Sequence, residues 1–291
     1  MKITETNLRK FSEWLVRRGR VPGTAETYVS NLRLCGSDPV GLTNRLVDGR
    51  LSPNSLRTNL AALRAWALFA GEHDLAKDLA DIRLPPARRI HAKVPLDIGQ
   101  LQRVVHHLQT CRTVTSSNPN ADAAVRHVLV IMAVRGLRSG DVLRLRRTEV
   151  KRAVETGKLE FEGKGRKRME FAAESFRAQL EALLEIPGWD RVRDIIAKSS
   201  NPKVASVKIW RAARRTAGRV GIANMSPHRY RHTIATRFLD KLSGDPNAII
   251  KLKQYMGWES VNTAAKYVGE ISQSQLDQLG AELAKGILSG E

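Results

Sequence analysis

Six side chains, met in chain order, have types and spacings that could serve one reaction at a phosphodiester: Arg138, Lys164, His228, Arg231, Trp258 and Tyr267. Arg138 closes Arg135-Gly136-Leu137-Arg138, where the glycine could end one helix and let another begin. Lys164 lies between glycines in Gly163-Lys164-Gly165, and Tyr267 follows Trp258 by nine residues. His228 and Arg231 fall one helical turn apart behind Ser226-Pro227. Two guanidinium forks, Arg138 and Arg231, can hold the non-bridging oxygens of a phosphate and stabilise their charge without a metal. A tyrosine, with a pKa of about 10, is mostly protonated at neutral pH and needs a positioned phosphate and a nearby proton acceptor. His228 can be that base or a hydrogen-bond donor. Lys164 could protonate the leaving oxygen, with Lys167 the alternative acid. An indole has one donor and no acceptor, so Trp258 can offer a hydrogen bond and a packing surface only.

Taken singly, each residue also has an ordinary reading: a surface arginine, a turn lysine, a core tryptophan, a packed helix tyrosine. A His-x-x-Arg pair is expected about once by chance in so arginine-rich a chain. Asp141 reads as structural, either capping a helix or pairing with a nearby arginine.

The elements that must position these groups are mostly helices. Leu8, Phe11 and Leu15 recur at helical spacing and stop at Gly19. Thr24 can cap a second helix with Tyr28, Leu32 and Cys35 inward, and a third is expected near Pro39–Val47. Ser52-Pro53 opens a helix lined by Leu56, Leu60, Leu63 and Ala67. Residues 85–96 are Pro-rich, basic and aperiodic, as a linker would be. Asp97 then caps a helix containing Leu101, Val104, Val105 and Leu108, Thr113–Asn120 reads as a polar loop, and Val125–Val134 as a buried helix ending at Gly136. One β signal interrupts: Leu159 and Phe161 alternate, as do Met169 and Phe171, around a turn holding Lys164. Helices resume from Glu174. The expected fold is mainly α with a small β-hairpin.

Charge narrows the partners. The 291 residues carry 49 Lys+Arg against 29 Asp+Glu, a net +20. Residues 1–90 hold fifteen basic and nine acidic residues (+6), and the remainder thirty-four and twenty (+14). A basic excess in both parts suits one nucleic acid touching both, and arginine suits phosphate. No run of eighteen apolar residues is long enough to span a membrane, and the N-terminus lacks the apolar core of a signal peptide, so the expected compartment is the cytoplasm. Two cysteines, Cys35 and Cys111, have neither disulfide density nor metal-ligand spacing. No carboxylate cluster is spaced for a divalent ion, so neither metal nor cofactor is expected.

The order of these motifs resembles the tyrosine recombinases, the group of phage integrases, Xer-type resolvases and Cre. Gly136-Leu137-Arg138 with Asp141 is similar to that family's arginine motif, Gly163-Lys164-Gly165 to its catalytic hairpin, and His228, Arg231, His232 and Thr233 to its His-x-x-Arg box. Gly257-Trp258 and Tyr267 match its Gly-His or Gly-Trp step and nucleophile. Three positions depart from the pattern: Trp258 stands where most members have His, Arg135 where a small residue is usual, and Tyr230 where Leu is usual. The resemblance implies a helical core-binding domain over residues 1–84, a linker over 85–96, and a mixed α+β catalytic domain over 97–291 with a C-terminal tail helix. It implies a site-specific recombinase in which Tyr267 forms a 3′-phosphotyrosyl bond to double-stranded DNA, working as a homo-tetramer on paired sites. The tail, with Leu276, Leu279, Leu283 and Ile287 on one face, would dock on a neighbouring subunit. The rival readings are a type IB topoisomerase-like enzyme and a non-catalytic DNA-binding architectural protein.

Overall fold

A computed structural model of the chain describes residues 2–34, 53–84, 94–111, 118–163, 168–197 and 202–265. The expected helix near Pro39–Val47, the Pro-rich stretch over 85–93, the hairpin tip with Lys164 and Lys167, Tyr267 and the tail lie outside these residues. The chain divides into two compact units, residues 1–92 and 93–291.

In the first unit, α1 (Glu5–Arg17) starts where the Thr4 hydroxyl accepts the Asn7 N–H, and it turns Leu8, Phe11 and Leu15 inward. Helix α2 (Pro22–Leu34) begins two residues before the expected Thr24 cap. The Val21 carbonyl already accepts the N–H groups of Thr24 and Ala25, because a proline preset for the first helical position wins over a capping hydroxyl. Its buried face is Ala25, Val29 and Leu32, with Tyr28 at the edge. Helix α3 (Pro53–Ala70) buries Leu56, Leu63, Trp66 and Ala67, and Trp66 meets Phe11 edge-on at 5.3 Å. Helix α4 (His73–Asp81) closes this core with Ala76 and Leu79.

The second unit is built around α6 (Pro119–Arg135), whose apolar run Val128–Val134 is buried on nearly every side. Asn118 caps it by accepting from Asn120 and Ala121, so the polar loop ends two residues earlier than expected. Helix α5 (Ile98–Thr110) starts in a reciprocal capping box between Asp97 and Gln100. After α6 come α7 (Ser139–Val142), α8 (Arg147–Thr156) and the antiparallel pair β1 (Lys158–Glu162) and β2 (Arg168–Ala172). Leu159 pairs with Phe171 and Phe161 with Met169, all four buried on one face. A 3₁₀ turn over Glu174–Phe176 leads into α9 (Arg177–Leu184), followed by α10 (Val192–Ile196) and α11 (Pro202–Arg219). The last elements are α12 (Pro227–Lys241), α13 (Ala248–Met256) and α14 (Val261–Ala265). They share a small apolar cluster of Ala235, Leu252, Met256, Trp258 and Ala264.

The segment just before α5 is fastened to α12. Leu96 is fully buried and belongs to the core of this unit, not to a solvated linker. Its N–H donates to the Thr233 hydroxyl at 2.9 Å, and Arg237 donates to its carbonyl at 3.3 Å. Arg229 donates to the Val94 carbonyl at 2.8 Å. These three side chains recur every four residues along one face of α12. No helix among the described residues is long and apolar enough to cross a membrane.

Candidate active site

The arginine motif is set by how α6 ends. Gly136 takes φ +70°, and a Cβ there would come within 3.2–3.3 Å of Ile234 and Met256, so both conformation and space call for glycine. Leu137 drops into the core, and Arg138 follows at the N-terminus of α7, partly exposed. Its Nη1 lies 3.6 Å from the Asp141 carboxylate, whose other oxygen accepts from Arg144 at 2.7 Å. Asp141 is only 1% exposed, and a carboxylate so desolvated requires such partners. Of its two possible roles, the structure selects arginine pairing, since Arg138 itself occupies the cap position.

Helix α12 opens at Pro227, which leaves His228 exposed in its first turn and Arg231, one turn on, 2% exposed. Arg231 donates through Nη1 to the Gly136 carbonyl at 2.8 Å and through Nη2 to the Met256 carbonyl at 2.9 Å. Its guanidinium carbon lies 5.1 Å from the centre of the Trp258 ring. One side chain thus joins the end of α6, two residues before Arg138, to the end of α13, two residues before Trp258. Trp258 is 4% exposed and packs with Ala264 of α14, the helix whose last described residue is two short of Tyr267.

The C-terminus of α13 is satisfied on every carbonyl. A helix leaves its last four carbonyls without helical partners. Here Trp258 N–H bonds to Lys253 and Gly257 N–H to Gln254. The other two carbonyls, Tyr255 and Met256, accept from Arg135 and Arg231 at 2.7 and 2.9 Å. Two cations meet the negative end of the helix dipole.

The hairpin joins the same neighbourhood through β2. Gly257 has φ +63°, and a Cβ there would overlap the Met169 methyl and lie 3.4 Å from Phe171. The structure therefore brings Arg231 and Trp258 together, ties Arg231 to the Gly136 carbonyl two residues before Arg138, and places His228 one turn from Arg231. Lys164 and Tyr267 are outside the described residues, although the elements leading to them pack here. Tyr230, the departure inside the His-x-x-Arg box, is wholly buried, and its hydroxyl has no hydrogen-bond partner among the described residues. Burial raises its pKa strongly.

Arg135 was legible only as an oddity of the motif. It is 7% exposed and lies between the rings of Tyr255, 3.6 Å from its guanidinium carbon, and Phe171, at 4.4 Å. The one sequence signal is a cation placed directly after the apolar run Val128–Val134. Among the described residues, no group of three or more His, Cys, Asp or Glu is placed to hold a metal ion.

Residues 96–273 match the phage integrase family, and the chain belongs to that family. No curated protein matches it. Solved structures share the fold at low identity, and they are tyrosine recombinases. The Tn1549 transposon integrase in complex with transposon right-end DNA is 14% identical, with 96% of this chain and 99% of that one covered and a TM-score of 0.62. A lambda integrase fragment, solved as a dimer bound to a COC′ core site, is 15% identical over 94% and 97% of the two chains, with a TM-score of 0.60. The XerH site-specific recombinase in a pre-cleavage complex with its difH substrate is 18% identical over 84% and 70%, with a TM-score of 0.58.

Proposed function

We propose that this protein is a site-specific tyrosine recombinase that breaks and rejoins double-stranded DNA through Tyr267. The observation that carries this reading is the position of Arg231. Buried on Trp258 and bonded to Gly136 and Met256, it holds the Arg138 motif and the turn leading to Tyr267 in one place. The net charge of +20 supplies the attraction to a polyanion, and relatives of the same fold were solved on DNA.

In this reading Arg138 and Arg231 hold the non-bridging oxygens of the scissile phosphate. The Tyr267 oxygen attacks phosphorus and yields its proton to His228, while the bond to the 5′ oxygen breaks. That oxygen takes a proton from Lys164, with Lys167 as the neighbouring candidate. The product is a 3′-phosphotyrosyl bond and a 5′-hydroxyl. A second 5′-hydroxyl reverses the step without ATP, because the covalent bond conserves the energy of the broken linkage. No metal is required of a site that supplies its positive charge from arginine. Assembly as a tetramer on paired sites, with the segment after Gln273 docking between subunits, completes the proposal.

The other tyrosines support the choice of nucleophile. Of the four in the chain, Tyr230 is buried, Tyr255 is stacked between Phe238 and Arg135, and Tyr28 is half-buried against the core of the first unit. A nicked suicide DNA substrate, incubated in excess chelator, tests the reading. Wild-type protein should accumulate a covalent adduct, and Tyr267→Phe should lose it while keeping fold and DNA affinity. An adduct that persists in Tyr267→Phe removes Tyr267 from the mechanism. An adduct formed only after Mg²⁺ is restored overturns the metal-independent chemistry.

A further inference from the structure

Arg135 is a buried cation with no carboxylate within ion-pair distance among the described residues. Burial pulls its pKa down, yet an arginine remains charged. Its compensation comes from elsewhere. The two π faces of Tyr255 and Phe171 enclose the guanidinium, and the Tyr255 carbonyl at the negative end of α13 accepts its Nη2. The stack continues on both sides. Phe171 meets Phe161 across the hairpin at 5.9 Å, and Tyr255 lies flat on Phe238 of α12 at 4.3 Å. One column of rings with a guanidinium in its middle therefore crosses β1, β2, α6, α13 and α12. Beside it, Met169 of β2 fills the space left by the missing Gly257 side chain.

We propose that Arg135 is a positioning residue that locks β2 against the turn over residues 255–258, and through that turn sets Trp258 and the Met256 anchor of Arg231. The inference rests on the recombinase reading for its kinetic consequence, but not for its structural one. Lysine can keep the charge and one hydrogen bond but cannot lie flat between two rings. Methionine keeps much of the volume and loses the charge, leaving the Tyr255 carbonyl without its donor.

The test compares wild type, Arg135→Lys and Arg135→Met in the full chain. Its first readout is amide hydrogen exchange over residues 253–260 in DNA-free protein. In Arg135→Met the amides of Gly257 and Trp258 should exchange about tenfold faster or more, while the first unit is unchanged. Arg135→Lys should fall between that variant and wild type. Unchanged exchange at 253–260 overturns the proposal whatever the enzyme does.

The second readout is single-turnover adduct formation. Misplacing reacting groups by about 1 Å costs on the order of a hundredfold, and Arg135→Met should slow cleavage by about ten- to a hundredfold at unchanged DNA affinity. The double variant Arg135→Met, Trp258→Phe discriminates positioning from general damage. If Arg135 acts through the turn, the pair should be no more than about twofold slower than the slower single variant. Multiplying losses overturn the coupling. Absence of any wild-type adduct refutes the recombinase reading instead, and leaves the positioning role to be decided by exchange.

Discussion

At Asp141 a buried carboxylate faces two arginines, and the distances separate their roles. The 2.7 Å bond to Arg144 holds the acid, and the 3.6 Å approach to Arg138 lets the acid orient the guanidinium that we propose grips the phosphate. Asp141→Asn keeps the shape and removes the charge. It should cost about 1–3 kcal/mol, the usual range when a buried charged partner is lost, and slow adduct formation about tenfold because Arg138 loses its orienting anion. Arg144→Ala should leave the rate within about twofold, since Arg144 is exposed and its loss frees the acid for Arg138. Thermal denaturation with single-turnover cleavage checks both, and equal kinetic losses in the two variants would refute the division of roles. Sequence spacing could not choose between cap and pair for Asp141, because both use the same offset. It failed at Arg135 for a different reason: a cation on the inner face of a core helix contradicts residue preference, and only the rings of Tyr255 and Phe171, far along the chain, make that placement affordable.

Elements were legible where one signal dominated. The alternation of Leu159 and Phe161 with Met169 and Phe171 set the hairpin face correctly, and the capping box at Asp97 and the helix beginning at Pro53 stand where residue types place them. The start of α2 was misplaced because Pro22 and Thr24 both signal a beginning, and chain geometry favours the proline. What spacing could not supply was contact between elements, of which Gly257 against β2 is the clearest case. Gly257→Ala meets two obstacles, a left-handed backbone costing about 1–2 kcal/mol for any other residue and a collision with the Met169 methyl. Only the second can be relieved from outside. Urea denaturation should show Gly257→Ala destabilised by about 2–3 kcal/mol, and Met169→Ala should add less to it than it costs alone. Strict additivity would mean that the hairpin and the turn do not press on each other.

For the whole molecule, the two units carry separate cores, which invites cutting the chain between them. Sequence composition puts the cut after residue 96, but Leu96 is fully buried and Val94–Leu96 takes hydrogen bonds from Arg229, Thr233 and Arg237. A fragment beginning at Lys93 should fold as the second unit does in the full chain. One beginning at Asp97 should be less stable by about 2–5 kcal/mol, the range for emptying a leucine site, and chemical denaturation of the two fragments measures the gap. Equal stability would show that the Val94–Leu96 fastening contributes nothing to the fold. The fastening also determines where a pull on the polypeptide is felt. The Leu96–Thr233 bond is tied two residues from Arg231, so a pull on Val94–Leu96 is felt first on the helix that carries Arg231.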